Sequence, residues 1–212
     1  MHKVSGALVL SVALVALTSQ VEANEVAQGI FHLRPSLPAP TVLAGDSSLA
    51  VEGAAQMGEA DVLSARALYK VTDVLAAFLD VGYYSPDGGA DNDVVVQAGV
   101  VFEALSFDVA NVAVRGAAAY PMADDSDMFL VTGDVVAYRD CEKLEGLRGF
   151  VGVGAGYYNW EVDTRFGKFD DSGVELTLSA GADYTILPGL DVGVTLEYVE
   201  EPAYSARLRY SF

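Results

Sequence analysis

The chain has 212 residues, of which 52% are hydrophobic, and its 30 acidic and 12 basic residues give a formal net charge of -18. This length suits one domain, and so apolar a composition excludes an intrinsically disordered chain. The acidity argues against nucleic acid as a partner, because phosphate binding needs clustered Lys and Arg.

The first 23 residues are typical of a cleaved signal peptide. His2 and Lys3 form a short positive region, Val4 to Leu17 is an uncharged apolar run, and Val21-Glu22-Ala23 provides a small-residue site, so we expect cleavage after Ala23. The alternative is a membrane-anchoring helix, for which the run is short, since a span needs about 20 apolar residues. No Cys follows the cleavage site, which argues against a lipid-anchored lipoprotein.

Residues 24–47 have no regular pattern. Pro35, Pro38 and Pro40 interrupt any helix or strand ladder there. We therefore predict a periplasmic leader or linker over 24–47. The alternative is that Gln28 to Leu33 forms a short extra strand or a plug inside a barrel.

From Ser48 onward, apolar and polar residues alternate in ten segments, as they do in half-buried strands. The predicted strands are 48–58, 62–71, 75–85, 93–104, 108–120, 128–138, 147–160, 173–186, 190–199 and 203–212. Every segment carries a charge on the face opposite its apolar residues. Alternation alone fits a soluble barrel with an apolar core as well as a membrane barrel with a charged lumen.

The last strand, AYSARLRYSF, favours the membrane barrel. A strand ending in Phe212, with Tyr210 and Leu208 before it at intervals of two, resembles the closing strand of bacterial outer-membrane β-barrels, and the resemblance implies that these residues form the barrel-assembly signal. Together with the stretch FVGVGAGYYNW at 150–160, it makes residues 48–212 similar to the OmpA-like and OmpX-like outer-membrane barrel families. The resemblance implies an all-β, antiparallel, up-and-down transmembrane barrel in the outer membrane of a Gram-negative bacterium. We predict ten strands; eight is the alternative, because these families usually have eight.

Aromatic side chains on the apolar faces fall near the strand ends. With Phe212 at the periplasmic rim, strand directions follow by alternation, and the rings form two girdles of the kind that sit at lipid headgroups. The expected periplasmic girdle is Tyr69, Phe102, Tyr184 and Tyr210, and the expected outer girdle is Tyr83, Tyr120, Phe129, Tyr157, Tyr198 and Tyr204.

Opposite charges occupy the inward positions in nearly equal numbers. The acidic positions are Glu52, Asp80, Glu103, Asp134, Glu175, Asp183, Asp191 and Glu197, and the basic ones are Arg66, Lys70, Arg115, Arg148, Arg207 and Arg209. This balance predicts an ion-pair core in a packed lumen, because side chains fill barrels of about eight strands and open channels appear near sixteen. A narrow cation-preferring channel is the alternative.

The predicted outer loops are acidic. Six aspartates form a candidate divalent-cation rim that could bridge to lipopolysaccharide phosphates, and the alternative is a solvated acidic surface. They are Asp87, Asp91, Asp93, Asp124, Asp125 and Asp127. The predicted loop at 160–172, which contains Trp160, Arg165, Phe166 and Lys168, is the best candidate for contact with a surface ligand.

The sequence points away from catalysis. Omptin proteases and the lipid A acylation and deacylation enzymes resemble this fold but depend on an active-site His, and the only histidines here are His2 in the signal peptide and His32 in the Pro-containing segment. The lone Cys141 permits no internal disulfide; it is an incidental turn thiol or a site of intermolecular pairing. We predict no enzyme and no cofactor.

The predicted protein is therefore a monomeric barrel with a structural, envelope-integrity or surface-interaction role, and a small-solute or cation-preferring channel is the alternative. Its expected partners are outer-membrane lipid and lipopolysaccharide, the barrel-assembly machinery, and a surface ligand bound through the outer loops.

Overall fold

The computed structural model describes residues 30–44, 47–86, 93–122, 126–164, 167–199 and 201–212. Within these residues, ten antiparallel strands close into one barrel, in which every strand pairs with its neighbours in sequence and β1 pairs with β10. The strands are β1 Leu49–Met57, β2 Ala60–Thr72, β3 Leu75–Pro86, β4 Asp93–Ser106, β5 Asn111–Met122, β6 Ser126–Asp140, β7 Leu147–Thr164, β8 Gly167–Leu187, β9 Leu190–Val199 and β10 Glu201–Ser211. The prediction of a ten-stranded up-and-down barrel is confirmed. The predicted signal peptide lies outside the described residues.

The barrel closes between its first and last strands. Pairing runs from Ala50 opposite Ser211 to Met57 opposite Tyr204, and the Phe212 N–H donates to the Leu49 carbonyl oxygen at 2.9 Å. Closure leaves no strand edge along this seam, which is how barrels avoid edge-to-edge aggregation.

The strand ends define two rims of the barrel. The lower rim carries Phe212 and the connections 73–74, 107–110, 141–146 and 188–189, and the upper rim carries the connection 58–59 and the ends of β3, β5, β7 and β9. Two lower-rim turns need glycine, since Gly146 and Gly189 have φ angles of 84° and 81°, a region that other residues rarely adopt.

The predicted strand bounds differ most from the structure at β5, β7 and β8. The segment 160–172, predicted as the longest outer loop, is instead a paired hairpin in which Trp160 lies opposite Asp171 and Thr164 lies opposite Gly167. Backbone pairing therefore continues past the charges that suggested a loop. Arg165 and Phe166 lie outside the described residues. The start of β5 is Asn111 and not 108, because a turn closes from the Phe107 N–H to the Ala110 carbonyl at 3.1 Å.

The outer face of the barrel is apolar, and its interior combines ion pairs with buried apolar clusters. Leu63 is 67% exposed and Val194 is 60% exposed on the outer face, whereas Asp80 and Arg115 are buried within. All the rings predicted for the two girdles lie exposed on the outer face. Helices long and apolar enough to cross a membrane are not found in the described part of the chain. The ambiguity left by the alternating pattern is thus resolved: the apolar faces point away from the lumen.

The Pro-containing segment lies inside the barrel. Residues 30–44, here called the lumen segment, form two short 3-10 helices, Ile30–Leu33 and Pro40–Ala44, joined by an irregular stretch. Phe31, Ala39 and Leu43 are each no more than 5% exposed. For these residues the prediction of a periplasmic leader or linker is corrected, because the wall supplies the hydrogen-bond partners that water would otherwise supply. The alternative of a plug, given for Gln28 to Leu33, describes residues 30–33. The remaining residues of the predicted linker, apart from 47, lie outside the described residues.

Close strand approach makes one inward glycine a sensitive position. A Cβ at Gly99 would overlap the Gly116 carbonyl oxygen and the Phe78 ring, whereas a Cβ at Gly53 on the outer face would meet nothing within 4 Å. We expect Gly99→Ala to lower the free energy of unfolding by about 1–3 kcal/mol, the usual cost of overpacking. Gly53→Ala is the matched control and should change it little. Urea unfolding in detergent micelles measures the free energy of unfolding of both variants. Equal losses would show that a Cβ at Gly99 meets no close contact.

Candidate functional site: the filled lumen

One arginine joins the first three strands inside the barrel. Arg66 on β2 lies directly opposite Glu52 on β1 and Asp80 on β3. Its Nε is 2.5 Å from Asp80 Oδ1, its Nη2 is 2.8 Å from Asp80 Oδ2, and its Nη1 is 2.7 Å from Glu52 Oε1. Since facing residues on adjacent strands lie within side-chain reach, the register itself makes this cluster.

A second arginine joins the middle strands in the same way. Arg115 on β5 lies opposite Asp134 on β6, and its Nε is 2.8 Å from Asp134 Oδ1 while its Nη2 donates to Oδ2. Such a bidentate pair is among the stronger hydrogen-bonded arrangements in proteins. Nη2 also lies 3.0 Å from Ser179 Oγ on β8, so the pair reaches past β7, where Gly152 leaves the space.

Two arginines on the closing strand complete the network. Arg207 Nε is 2.9 Å from Asp183 Oδ1, although β9 lies between them with Gly193 at the facing position. A Cβ at Gly193 would overlap the Asp183 carboxylate, so a glycine there allows the pair to form across a strand. Arg209 Nη2 is 2.6 Å from Asp191 Oδ2 and 3.8 Å from an oxygen of Asp183.

Aromatic rings separate these charges. The Arg66 guanidinium lies 5.2 Å from the centre of the Phe78 ring. The Phe150 ring lies 5.5 Å from Arg115 and 5.6 Å from Arg207 on the same measure. Cation–π contacts of this kind stabilise desolvated guanidinium groups, and Phe150 connects two of the three arginine clusters.

The other predicted lumen residues lie nearer the rims or at the edge of the network. Arg148 Nε is 3.0 Å from Asp140 Oδ1 at the lower rim, and Lys70 Nζ is 3.8 Å from Asp73 in a lower-rim turn. Glu103 accepts a hydrogen bond from the Tyr138 hydroxyl. Glu175 and Glu197 are half-buried on their strands.

Side chains of the wall donate to backbone carbonyls of the lumen segment. These hydrogen bonds run from Gln56 to the carbonyls of His32 and Arg34 (both 3.2 Å), from Gln97 to Pro35 (3.1 Å), from Arg66 to Ser36 (2.5 Å) and from Arg115 to Pro38 (2.8 Å). Proline has a carbonyl but no N–H, so a Pro-rich stretch offers acceptors with few donors. This chemistry matches a wall rich in guanidinium and amide donors.

Side chains of the lumen segment also bind the wall. Arg34 pairs with Glu197 and Thr41 donates to Asp183. Ser36 Oγ and Ser205 Oγ are 3.1 Å apart. At the upper rim, His32 Nδ1 accepts the Glu59 N–H at 3.3 Å. These partners were missed by the sequence reasoning; the excess of inward acids over bases was the one signal that a further cation was needed.

Apolar anchors hold both ends of the lumen segment. Near the upper rim, the Phe31 ring meets the Tyr158 ring edge-on at 5.8 Å and fills the space over Gly156, where a Cβ would overlap it. Towards the lower rim, Leu37 and Leu43 are buried in a cluster of wall side chains. That cluster includes Leu68, Ala76, Phe78, Val101, Ala113, Val136, Tyr138 and Phe150. The segment therefore runs through the lumen from the upper rim to the lower rim.

The remaining predicted sites are not brought together by the described residues. Asp127 accepts from the Tyr120 hydroxyl at 3.0 Å, and Asp93 accepts the next residue's N–H at 2.7 Å. The other members of the predicted cation rim, Asp87, Asp91, Asp124 and Asp125, lie outside the described residues. Within the described part of the chain, no group of three or more His, Cys, Asp or Glu side chains is placed to hold a metal ion.

The predicted assembly signal lies on the outer face, and the lone cysteine lies in a lower-rim connection. Tyr210 and Phe212 lie on the outer face with Leu208, and their rings meet edge-on at 5.0 Å. Cys141 is a free thiol in the connection 141–146.

No family model matches the sequence, and no curated protein matches it. Solved structures that resemble the fold include the N-terminal β-barrel domain of Pseudomonas aeruginosa OprF, with 16% identity, a TM-score of 0.42, and coverage of 79% of this chain and 99% of that chain. KdgM porin has 9% identity and a TM-score of 0.42 over 77% of this chain and 99% of that chain. Ail, the attachment invasion locus protein of Yersinia pestis, has 12% identity and a TM-score of 0.33 over 78% of this chain and 97% of that chain. Likenesses this low do not carry function from one protein to another.

Removing one buried arginine tests how much the ion-pair network contributes to the free energy of unfolding. We expect Arg115→Ala to lower the free energy of unfolding by about 3–5 kcal/mol, because Asp134 would stay buried without its counter-charge. Urea unfolding followed by the fluorescence of Trp160, the single Trp in the chain, measures the change.

The matched control is Arg139→Ala, which removes an exposed pair with Glu142 at 2.7 Å and should cost far less. The double variant Arg115→Met/Asp134→Leu should recover most of the loss, since it leaves no unpaired charge. A loss for Arg115→Ala no larger than that of the control would refute the account.

Proposed function

We propose that the chain is a Gram-negative outer-membrane barrel with a sealed lumen, and that its role is structural, in envelope integrity or surface interaction, and not catalytic. The observation that carries the proposal is the filled lumen: residues 30–44 occupy the interior and are bound by the buried arginines of the wall. An interior so occupied supports a barrel that separates two compartments without connecting them.

The inverted polarity of the barrel supports a membrane location. A soluble barrel would bury most of its large apolar side chains, but here a belt of them covers the outer face, while the ion pairs lie inside beside two apolar clusters. Soluble proteins rarely expose apolar patches beyond a few hundred Å², whereas a lipid-facing barrel needs such a belt, with rings near both interfaces. We propose that the lower rim is periplasmic and that the outer wall binds membrane lipid and lipopolysaccharide as a monomer.

The interior supports a role without chemistry. The buried carboxylates are paired with arginines or hydroxyl groups, so they are committed to the fold. His32 is held in the lumen segment with its Nδ1 bound to a backbone N–H. A catalytic base would instead need a reachable substrate. Contact with a surface ligand would fall to the upper rim, including the β7–β8 hairpin.

Conductance tests the sealed lumen. We expect the refolded full-length protein to give no stable ohmic steps in a planar bilayer, because the lumen segment and the ion pairs leave no continuous aqueous path. Heat-modifiable mobility on gels is the control for folding. Steady steps from wild-type protein shown to be folded would overturn the proposal.

The closing residue tests the predicted assembly signal. We expect Phe212→Ala to reduce the amount of folded barrel in the outer membrane of expressing cells, while refolding in detergent proceeds as before, because the 65% exposed ring contributes little to packing. The matched control is Phe129→Ala, another outward ring that is 44% exposed. Equal amounts of membrane-inserted Phe212→Ala and Phe129→Ala protein would argue against a signal at the carboxy terminus.

A further inference from the structure

The barrel wall is complete without the lumen segment. All ten strands pair with both neighbours, including β1 with β10. Among the described residues, the one backbone-to-backbone hydrogen bond of the segment outside its helices runs within it, from the Val42 N–H to the Ala39 carbonyl at 3.2 Å. Its bonds to the wall are made through side chains. Withdrawing the segment would therefore break no rung of the strand ladder.

The wall arginines also keep their carboxylate partners without the segment. Arg66 retains Asp80 and Glu52, and Arg115 retains Asp134. Each would lose one bond to a segment carbonyl, which water can replace. The segment is thus a ligand of an otherwise self-sufficient wall.

The charge left behind would favour cations. The segment's own ion pair is Arg34 with Glu197, so withdrawal would leave Glu197 without its guanidinium. The inward wall positions then carry eight acids against six bases. A charged, water-filled barrel with an acidic excess selects cations through its lining side chains.

We propose that residues 30–44 are a displaceable gate, and that the barrel conducts cations when the segment leaves the lumen. The segment joins β1 at the lower rim, so its movement is a withdrawal towards that rim, with Phe31 leaving the space over Gly156. The proposal rests on the membrane location proposed above and adds a conducting state to the sealed one.

A reversible lock tests the gate in the full-length chain. The test variant combines two pairs of substitutions. Phe31→Ala and Leu43→Ala weaken the two apolar anchors. Ser36→Cys and Ser205→Cys place two thiols where the hydroxyl oxygens are 3.1 Å apart, which is close enough for a disulfide after a small shift. Cys141→Ser removes the native thiol. We expect the folded reduced protein to show cation-selective steps, and oxidation to lower the open probability at least about tenfold, because the tether keeps the segment at its seat.

Four comparisons decide the outcome. The same protein with Ser36→Cys alone should conduct equally in oxidant and reductant, and thiol titration should confirm the disulfide in the pair. Silence of the folded, reduced variant would overturn the gate while leaving the sealed barrel intact. Equal conduction of the oxidised and reduced pair would also overturn it, because the current would then not depend on the segment. Steady conduction by the wild-type chain would instead count against the sealed barrel itself.

Discussion

The N–H donors of the buried guanidinium groups connect the strands of the wall to one another and to the lumen segment. An arginine offers five N–H donors in a fixed fork, and a carboxylate opposite it on the next strand takes two of them. In Arg66 the further donors reach Glu52 and the Ser36 carbonyl, and in Arg115 they reach Ser179 and the Pro38 carbonyl. Because a buried unsatisfied donor is costly, the closed lumen needs acceptors at its centre, and the segment supplies them where water would supply them in an open lumen.

The prolines of the lumen segment fit that demand. A regular helix or strand in the lumen would use its carbonyls for its own hydrogen bonds and leave few for the arginines. Prolines interrupt such structure and remove N–H groups that would themselves need partners. The stretch between the two 3-10 helices therefore presents carbonyl oxygens to the surrounding donors without adding unpaired N–H groups at Pro35 and Pro38. The prolines that predict a linker from the sequence therefore belong to a segment that is buried in the lumen.

The strands and the orientation of their faces were predictable from sequence, whereas the position of the segment was predicted only as an alternative, a plug formed by Gln28 to Leu33. Alternation depends on neighbouring residues, so it located β9 at 190–199, the bounds that the structure shows. It also placed Arg115 and Asp134 on inward faces, but their pairing depends on register between strands. The segment has no period, and its partners lie far away in sequence, as Arg34 and Glu197 do. Backbone carbonyls are common to all residues, so no pattern of residue types identifies them as ligands.

The width of the barrel explains why wall side chains alone do not fill the closed lumen. Side chains alone fill a barrel of about eight strands, and two further strands add cross-section that the inward side chains of this wall do not occupy. Glycines enlarge that space where the segment passes: a Cβ at Gly82 would lie 3.3 Å from Pro35 Cγ, and one at Gly58 would lie 3.2 Å from His32 Nδ1. Small inward residues on β3 and at the upper rim would leave voids if the lumen held only wall side chains. The wall is therefore shaped for an occupant, and the one it holds is supplied by its own chain.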